Sequence, residues 1–280
     1  MLATIIFFVS IIRSFFPPEK TRRILGKNAA RGIIGHIAAA LLGIVTPFCS
    51  CSAVPVFIGF IEAGVPLGVT FSFLISSPMV NEVALVLLWG LFGWKIALIY
   101  ISSGIFIAIT AGYIIGRLKL ERYVEEYVYR ISVGSVQEQS ISWGTRIRSS
   151  ASYTVDLLRK IWIYVVIGIA IGAVMHGWAP EGWLAEYAGR SNPFAVLIAV
   201  AIGIPLYSNA AGTIPIVREL MRLGIPVGTS LAFMMSVTAL SLPEMIILRK
   251  VLKPQLLAVF IGIMAVSISA IGYLFNLILL

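Results

Sequence analysis

Ala63-Gly64-Val65-Pro66-Leu67-Gly68 recurs 160 residues later as Leu223-Gly224-Ile225-Pro226-Val227-Gly228. Each copy joins two apolar runs through a Gly-x-Pro turn, and each follows a proline at the same spacing, Pro55 and Pro215. Before the turn, Thr46-Pro47-Phe48-Cys49-Ser50-Cys51 lies opposite Ile204-Pro205-Leu206-Tyr207-Ser208-Asn209. After it, Ser76-Ser77-Pro78-Met79-Val80-Asn81-Glu82 lies opposite Thr238-Ala239-Leu240-Ser241-Leu242-Pro243-Glu244, with small insertions at each end. Three features in one order predict a duplicated unit. Duplicated units with interrupted helices are the architecture of many secondary transporters.

The surroundings are apolar throughout. Of 280 residues, 59% are hydrophobic and 12% charged, with a mean hydropathy of +0.99. A soluble domain carries roughly 25% charge to cover its surface, so most of this surface faces a bilayer. The net charge of +9 sits in short blocks between apolar runs, as the positive-inside bias places it. That placement argues against nucleic acid as a partner. No phosphate-binding loop or zinc-protease helix motif is present, so no cofactor and no enzyme activity are expected. The first residues lack a basic n-region and a cleavage site, which predicts no cleaved signal peptide.

Runs long enough to approach the ~20 residues of a membrane span cover 2–16, 31–62, 67–93, 95–116, 160–178, 193–223, 226–248 and 255–280. The expected fold is an all-α polytopic membrane protein of about eight segments in two repeats, with proline-broken helices meeting near the midplane. Residues 1–116 form the N-terminal membrane repeat, 117–159 a basic surface loop or linker, and 160–280 the C-terminal membrane repeat. The charge contrasts at the two turns, Glu62 against Arg218 and Arg222, favour inverted halves. Eight simple spans would make the halves parallel, so inversion requires one run to be re-entrant or doubled. A multi-pass protein of the inner (plasma) membrane follows, with the lipid bilayer and a small solute or ion as partners. The composition is compatible with a homo-oligomer without requiring one.

Prolines 47, 55, 78, 215 and 243 each remove a helical hydrogen bond. With the serines, threonines and glycines beside them, they predict unwound backbone. Counted from the Gly-x-Pro turns, the breaks lie roughly 18–21 Å along their helices. Backbone unpaired at that depth is tolerated where it is buried in protein or lines a cavity. The candidate binding residues are therefore Cys49, Ser50, Cys51, Ser76, Ser77, Asn81 and Glu82 from the first unit, and Ser208, Asn209 and Glu244 from the second. Cys49 and Cys51, at i and i+2, suit transient binding of one soft ion. They are too few for a closed zinc site, and small cysteines are also ordinary packing residues. Glu82 and Glu244 are acids within apolar runs, which usually mark pathways or proton relays. Glu82 is expected to carry proton coupling. His36 and His176 sit near segment ends, as do Trp89, Trp94, Trp162, Trp178 and Trp183, where interfacial anchors belong.

The run from Thr46 to Pro55, the turn Gly64-Val65-Pro66 and the run from Ser76 to Glu82 resemble the predicted permease family that includes organoarsenical efflux permeases and related metal-efflux permeases. The second-half run from Pro205 to Pro215 is similar to that family's second motif. The resemblance covers about residues 30–280. It implies a plasma-membrane permease and, for some members, export of trivalent organoarsenicals through cysteine binding. Carried onto this sequence, the thiols and metal ligands are Cys49 and Cys51. The second half has no thiol, so a third sulfur ligand would come from Met79, Met234 or an added thiol. Two other readings stay open: a permease for a small anion or organic solute that does not use the cysteines, and a membrane component whose Cys-x-Cys pair cycles between thiol and disulfide.

Overall fold

The computed structural model describes residues 32–45, 50–62, 64–125, 155, 192–206, 208 and 210–278, without the side chains of residues 50–52, 55, 62, 82, 211 and 243. The runs 2–16 and 160–178, most of the 117–159 loop, His176, Trp162, Trp178 and Trp183 lie outside the described residues. In chain order the helices are α1 (Ile33–Val45), α2 (Ser50–Glu62), α3 (Leu67–Met79), α4 (Glu82–Phe92) and α5 (Trp94–Arg117). A single 3-10 turn at Leu120–Tyr123 follows. Then come α6 (Ala195–Gly203), α7 (Ala210–Arg222), α8 (Val227–Ala239), α9 (Leu242–Leu248) and α10 (Pro254–Ile278). Among the described residues there is no strand, only an isolated antiparallel bridge between Val124 and Leu252.

Among the described residues, three helical stretches are long and apolar enough to cross a membrane: Trp94–Arg117, Val227–Leu248 and Pro254–Ile278. Leu67–Met79 with Val83–Phe92, bent by 46°, makes a fourth if counted as one span. The expected run 31–62 is not one helix; it divides into α1 and α2, 13 residues each, or about 20 Å at 1.5 Å per residue. Likewise 193–223 divides into α6 and α7.

The directions of these helices follow from their contacts. The bridge at Val124 and Leu252, with Lys253 N–H donating to the Tyr123 carbonyl at 2.8 Å, ties the end of α5 to the start of α10. The two helices pack on each other and so run antiparallel. Gly68, at the start of α3, lies against Gly112 and Gly116 near the end of α5, so α3 is antiparallel to α5. Gly228, at the start of α8, lies against Gly272 and Asn276 near the end of α10. Therefore α3 and α8, which also touch each other, run in opposite directions.

The short helices fit the same frame. His36 Nδ1 lies 2.9 Å from Ser72 Oγ, and Gly43 abuts Ser76 and the Phe73 carbonyl. Thus α1 runs alongside α3 toward its far end. Since α2 is joined to the start of α3 by the turn at 63–66, it returns the way α1 came. The chain from 33 to 62 therefore enters the bundle to mid-depth and comes back. In the second half, Val196 touches Gly272, Gly203 touches Ser236, and Ser236 Oγ donates to the Val200 carbonyl at 2.7 Å. So α6 and α7 repeat this path from the opposite end of the bundle.

Both turns are built alike. Gly64 and Gly224 have φ of 75° and 89°, a left-handed geometry open to glycine at little steric cost. Val65 N–H reaches the Phe60 carbonyl at 3.0 Å and Ile225 N–H reaches Leu220 at 3.1 Å, the six-to-one bond of a Schellman C-cap. Pro66 and Pro226 then precede the next helix with φ of −55° each, a position where no amide hydrogen is needed.

Every residue of α3 is buried, and so is α8 from Gly228 onward. A helix covered on all sides belongs in the centre. By contrast, α5 exposes Leu98, Phe106 and Ile114, and α10 exposes Val266, Leu274 and Leu277. Such apolar outer faces belong against lipid tails. Trp89 and Trp94 are exposed at the α4–α5 corner, as interfacial anchors are. His36 differs from expectation. It is 4% exposed, packed edge-on to Tyr113 at 5.9 Å, and serves as a knob between α1, α3 and α5 rather than as a surface residue.

The prolines act differently from the sequence expectation. Pro215 lies inside α7, Pro78 within the last turn of α3, and Pro243 in the first turn of α9. The interruptions fall after the helices, at Val80–Asn81 and Leu240–Ser241.

Candidate functional site

The breaks come from capping chemistry. Val80 is extended (φ −125°, ψ 97°), and its N–H closes α3 on the Ser76 carbonyl at 2.9 Å. Asn81 is extended too and caps α4, its Oδ1 accepting from Ala84 N–H at 2.7 Å. Such a cap stabilises by about 1 kcal/mol, so α4 begins afresh here instead of continuing α3. At the second break Leu240 N–H closes α8 on Ser236 at 2.9 Å, and Ser241 (φ −64°, ψ 141°) precedes α9. Its side chain makes no capping bond. Instead Leu242 N–H donates to the Ile204 carbonyl at the end of α6, 2.9 Å away.

The helix starts recur at a fixed spacing. Helices begin at 50 and 210, 67 and 227, 82 and 242, and 94 and 254, a constant separation of 160 residues. Asn81 thus stands where Ser241 does, and Glu244 stands opposite Ala84. The alignment of Glu82 with Glu244 read from the sequence is off by two positions. It matched acid to acid where the backbone matches helix start to helix start.

The residues around the breaks are well buried. Ser76 and Ser77 are fully buried, with Ser76 Oγ donating to Phe73 O at 3.1 Å. The close approach of Gly43 to Ser76 and Ser77 brings the end of α1 against them. Asn81 is half-buried. On the other side of the first break, Val80 rests on Gly104 of α5, near that helix's middle. Glu244 is 2% exposed, and Ser208 is half-buried just before α7. Ser50 and Cys51 open α2, and Glu82 opens α4, but their side chains lie outside the described residues, as do Cys49 and Asn209. Among the described residues no three His, Cys, Asp or Glu side chains gather into a metal site.

Sequence reasoning passed over Tyr100. It lies on α5 one turn before Gly104, is fully buried, and sets its phenol beside the Thr238 hydroxyl in the last turn of α8. Tyr100 therefore spans from one break to the other. The Thr238 hydrogen is already given to the Met234 carbonyl at 2.9 Å. Neither the Tyr100 hydroxyl nor Ser241 Oγ has a hydrogen-bond partner of good geometry among the described residues. Leaving such a group unsatisfied costs about 1–3 kcal/mol. The available signal was positional: Tyr100 falls on the stripe of α5 with Gly104, Ile107, Ala111 and Ile115, all of them buried.

Apolar spanning helices around a polar, interrupted centre define a multi-pass permease of the plasma membrane. The ArsP_1 family model, described as a predicted permease, matches residues 1–277, and the chain belongs to that family. It is 26% identical to the UPF0718 protein YraQ of Escherichia coli K12, over 94% of this chain and 73% of that one. It is 22% identical to the UPF0718 protein MJ0584 of Methanocaldococcus jannaschii, over 91% and 85%. A Streptococcus mutans protein, named for a proposed role as a two-component membrane permease complex subunit, is 21% identical over 90% and 82%. No solved structure matches the chain.

Proposed function

We propose that this permease is an efflux carrier for a soft metal or metalloid species, such as a trivalent organoarsenical, and that its halves are an inverted duplication worked by alternating access. The observation that supports this reading best is the central pairing of α3 with antiparallel α8, each ending in a break at mid-depth. The other contacts between halves are reciprocal: α5 with α10, α4 with α7, and α2 with α9. That is the pattern a two-fold relation produces. With 33–62 and 195–222 as re-entrant hairpins, the runs 2–16 and 160–178, read as spans from the sequence alone, would bring each half to three crossings. An odd number of crossings inverts the second half. Arg117, Lys119 and Arg122 share one end with Arg249, Lys250 and Lys253, where Lys253 Nζ donates to the Arg122 carbonyl at 3.4 Å. The positive-inside rule makes that end cytoplasmic.

In this reading Cys49, which precedes α2 in the chain, and Cys51, in the first turn of α2, hold the solute. Asn81, Ser76, Ser77 and the 208–209 loop line the way, and rocking of the halves releases it outward. Thiolates favour soft centres. A second reading has specific support. Helices α2, α4 and α7 all begin at mid-depth, and helix N-termini attract anions. A small anion would then be the solute and the thiols dispensable. Everted vesicles loaded through the parent protein separate the two. The efflux reading predicts uptake of a trivalent arsenical that falls by at least roughly tenfold in Cys49→Ser/Cys51→Ser, the effect of losing one strong ligand. Uptake unchanged by the double substitution contradicts it.

A further inference from the structure

We propose that the groove between α9 and α10 binds an anionic phospholipid of the cytoplasmic leaflet, its acyl chain laid along the groove and its phosphate held by Arg249 and Lys250. The proposal takes from the permease reading only the cytoplasmic placement of this end. It uses neither the thiols nor the transported solute.

The walls of the groove follow from the sequence. Leu242, Met245, Ile246 and Arg249 stand at i, i+3, i+4 and i+7, the spacing of one helix face. Arg249 keeps helical angles just past the end of α9 (φ −58°, ψ −22°), so it continues that row. The other face of α9, with Glu244, Ile247 and Leu248, is buried. On α10, Leu257 and Ile261 stand at i and i+4, and Lys253 comes one turn before them. Between the two rows lies a groove of about 700 Å³. Its apolar lining, Leu242, Met245 and Ile246 from α9 with Leu257 and Ile261 from α10, is half-buried. Arg249, Lys250 and Glu125 line its end. From Leu242 to Arg249 is about 10 Å along a helix, against about 15 Å of hydrocarbon in one leaflet. The groove thus runs from the second break toward the membrane surface.

The ligand class follows from this layout. An apolar trough ending in cations at the surface matches a molecule with a long apolar chain and a negative head. Basic pockets between membrane helices on the cytoplasmic side are where anionic headgroups bind. A guanidinium presents five N–H donors in a fork that fits phosphate oxygens. The Arg249 side chain is 51% exposed. Its Nη1 lies 3.4 Å from the Leu252 carbonyl and 3.6 Å from a Glu125 oxygen. A part-exposed ion pair of that length contributes little, so a phosphate can compete with Glu125 for the guanidinium. Lys250 is exposed beside it. The bridge between Val124 and Leu252 brings Arg122 and Lys253 to the same corner, against the carboxylates of Glu121 and Glu125. The excess of cations favours an anionic lipid over a zwitterionic one.

The first half shows the same rows without the charge. At the separation of 160 residues they read Glu82, Leu85, Val86 and Trp89 on α4, and Ala97 and Ile101 on α5. They end at Trp89, 59% exposed, and at Gly93, where the second half has Arg249 and Lys253. The cation nearest Gly93 in sequence is Lys95. An aromatic corner anchors a helix at the interface, whereas a basic corner selects a charged headgroup.

The test is native mass spectrometry of the full chain in mild detergent, with phosphatidylglycerol and phosphatidylcholine of identical acyl chains. The proposal predicts that the first phosphatidylglycerol binds at least roughly tenfold more tightly than phosphatidylcholine. Arg249→Gln and Lys250→Gln should each weaken it roughly fivefold, and Ile246→Trp, which fills the groove, at least as much. Lys95→Gln should leave it unchanged. Glu125→Gln breaks the same ion pair as Arg249→Gln yet should tighten binding, because a competing carboxylate is gone. Should Ile246→Trp fail to fold, the charge variants decide. Equal affinity for the two lipids, or Arg249→Gln and Lys250→Gln binding phosphatidylglycerol as the parent does, overturns the proposal. So does weaker binding by Glu125→Gln, which would trace the effect to the ion pair rather than to the phosphate. A groove filled by another part of the chain or by a second copy would leave a folded Ile246→Trp with the parent's affinity, and that result also overturns it. No transport is measured, so the lipid site can fail while the efflux reading stands, or the reverse.

Discussion

Gly112→Leu will prevent accumulation of folded protein, whereas Gly262→Leu on the neighbouring long helix will be tolerated. A Cβ at Gly112 would fall on Ser72 Oγ and stand 2.6 Å from the Gly68 carbonyl and 3.0 Å from Ser72 N. From the other side, a Cβ at Gly68 would meet the Gly112 carbonyl at 2.5 Å and Gly116 Cα at 2.7 Å. The α3 and α5 backbones are therefore in direct contact, the close approach that small residues allow between membrane helices. Neither backbone can rotate away as a flexible side chain could. The effect should exceed the ~1–3 kcal/mol that overpacking typically costs. A Cβ at Gly262 would meet nothing within 4 Å, so its substitution tests glycine loss without crowding. Size-exclusion profiles of the expressed variants measure the outcome. A monodisperse Gly112→Leu protein with the parent's unfolding temperature would mean that α3 and α5 do not pack as described.

The second large effect is expected from soft ligands. If Cys49 and Cys51 hold the solute, a trivalent arsenical, Cd²⁺ or Cu⁺ will raise the unfolding temperature of the parent but not of Cys49→Ser/Cys51→Ser. At a concentration a hundredfold above its dissociation constant, a ligand confined to the folded state stabilises by about 2.7 kcal/mol, a shift easily resolved. Zn²⁺ should act more weakly, since two thiols do not complete its preferred four ligands. Equal shifts in both proteins would move the binding site away from the thiols and favour the anion reading.

Much of this architecture could be read from the chain because a few local rules are stringent. A left-handed residue before a helix start favours glycine, and proline fits the residue that opens the next helix, so the turns at 64–66 and 224–226 stand out in an otherwise uniform apolar sequence. Other features left no such mark. A re-entrant hairpin and a long span share the same composition, which is why 31–62 read as one segment. Pro215 was expected to interrupt α7, yet tertiary packing carries the helix through it. The acids at 82 and 244 suggested a register two residues away from that of the helix starts at 82 and 242. Tyr100 left only its place on the buried stripe of α5 as a signal, because the group it meets, Thr238, lies on another helix.

The central claim, that the halves are inverted, is tested most directly by labelling single cysteines in intact cells on a Cys49→Ser/Cys51→Ser background. Glu62→Cys lies beside the first Gly-x-Pro turn and Arg222→Cys beside the second. Lys250→Cys and Lys95→Cys mark the two ends of the bundle. The account predicts that an impermeant thiol reagent reaches residues 222 and 95 from outside, and residues 62 and 250 only after the membrane is opened. Residues 62 and 222 labelling from the same side would contradict it.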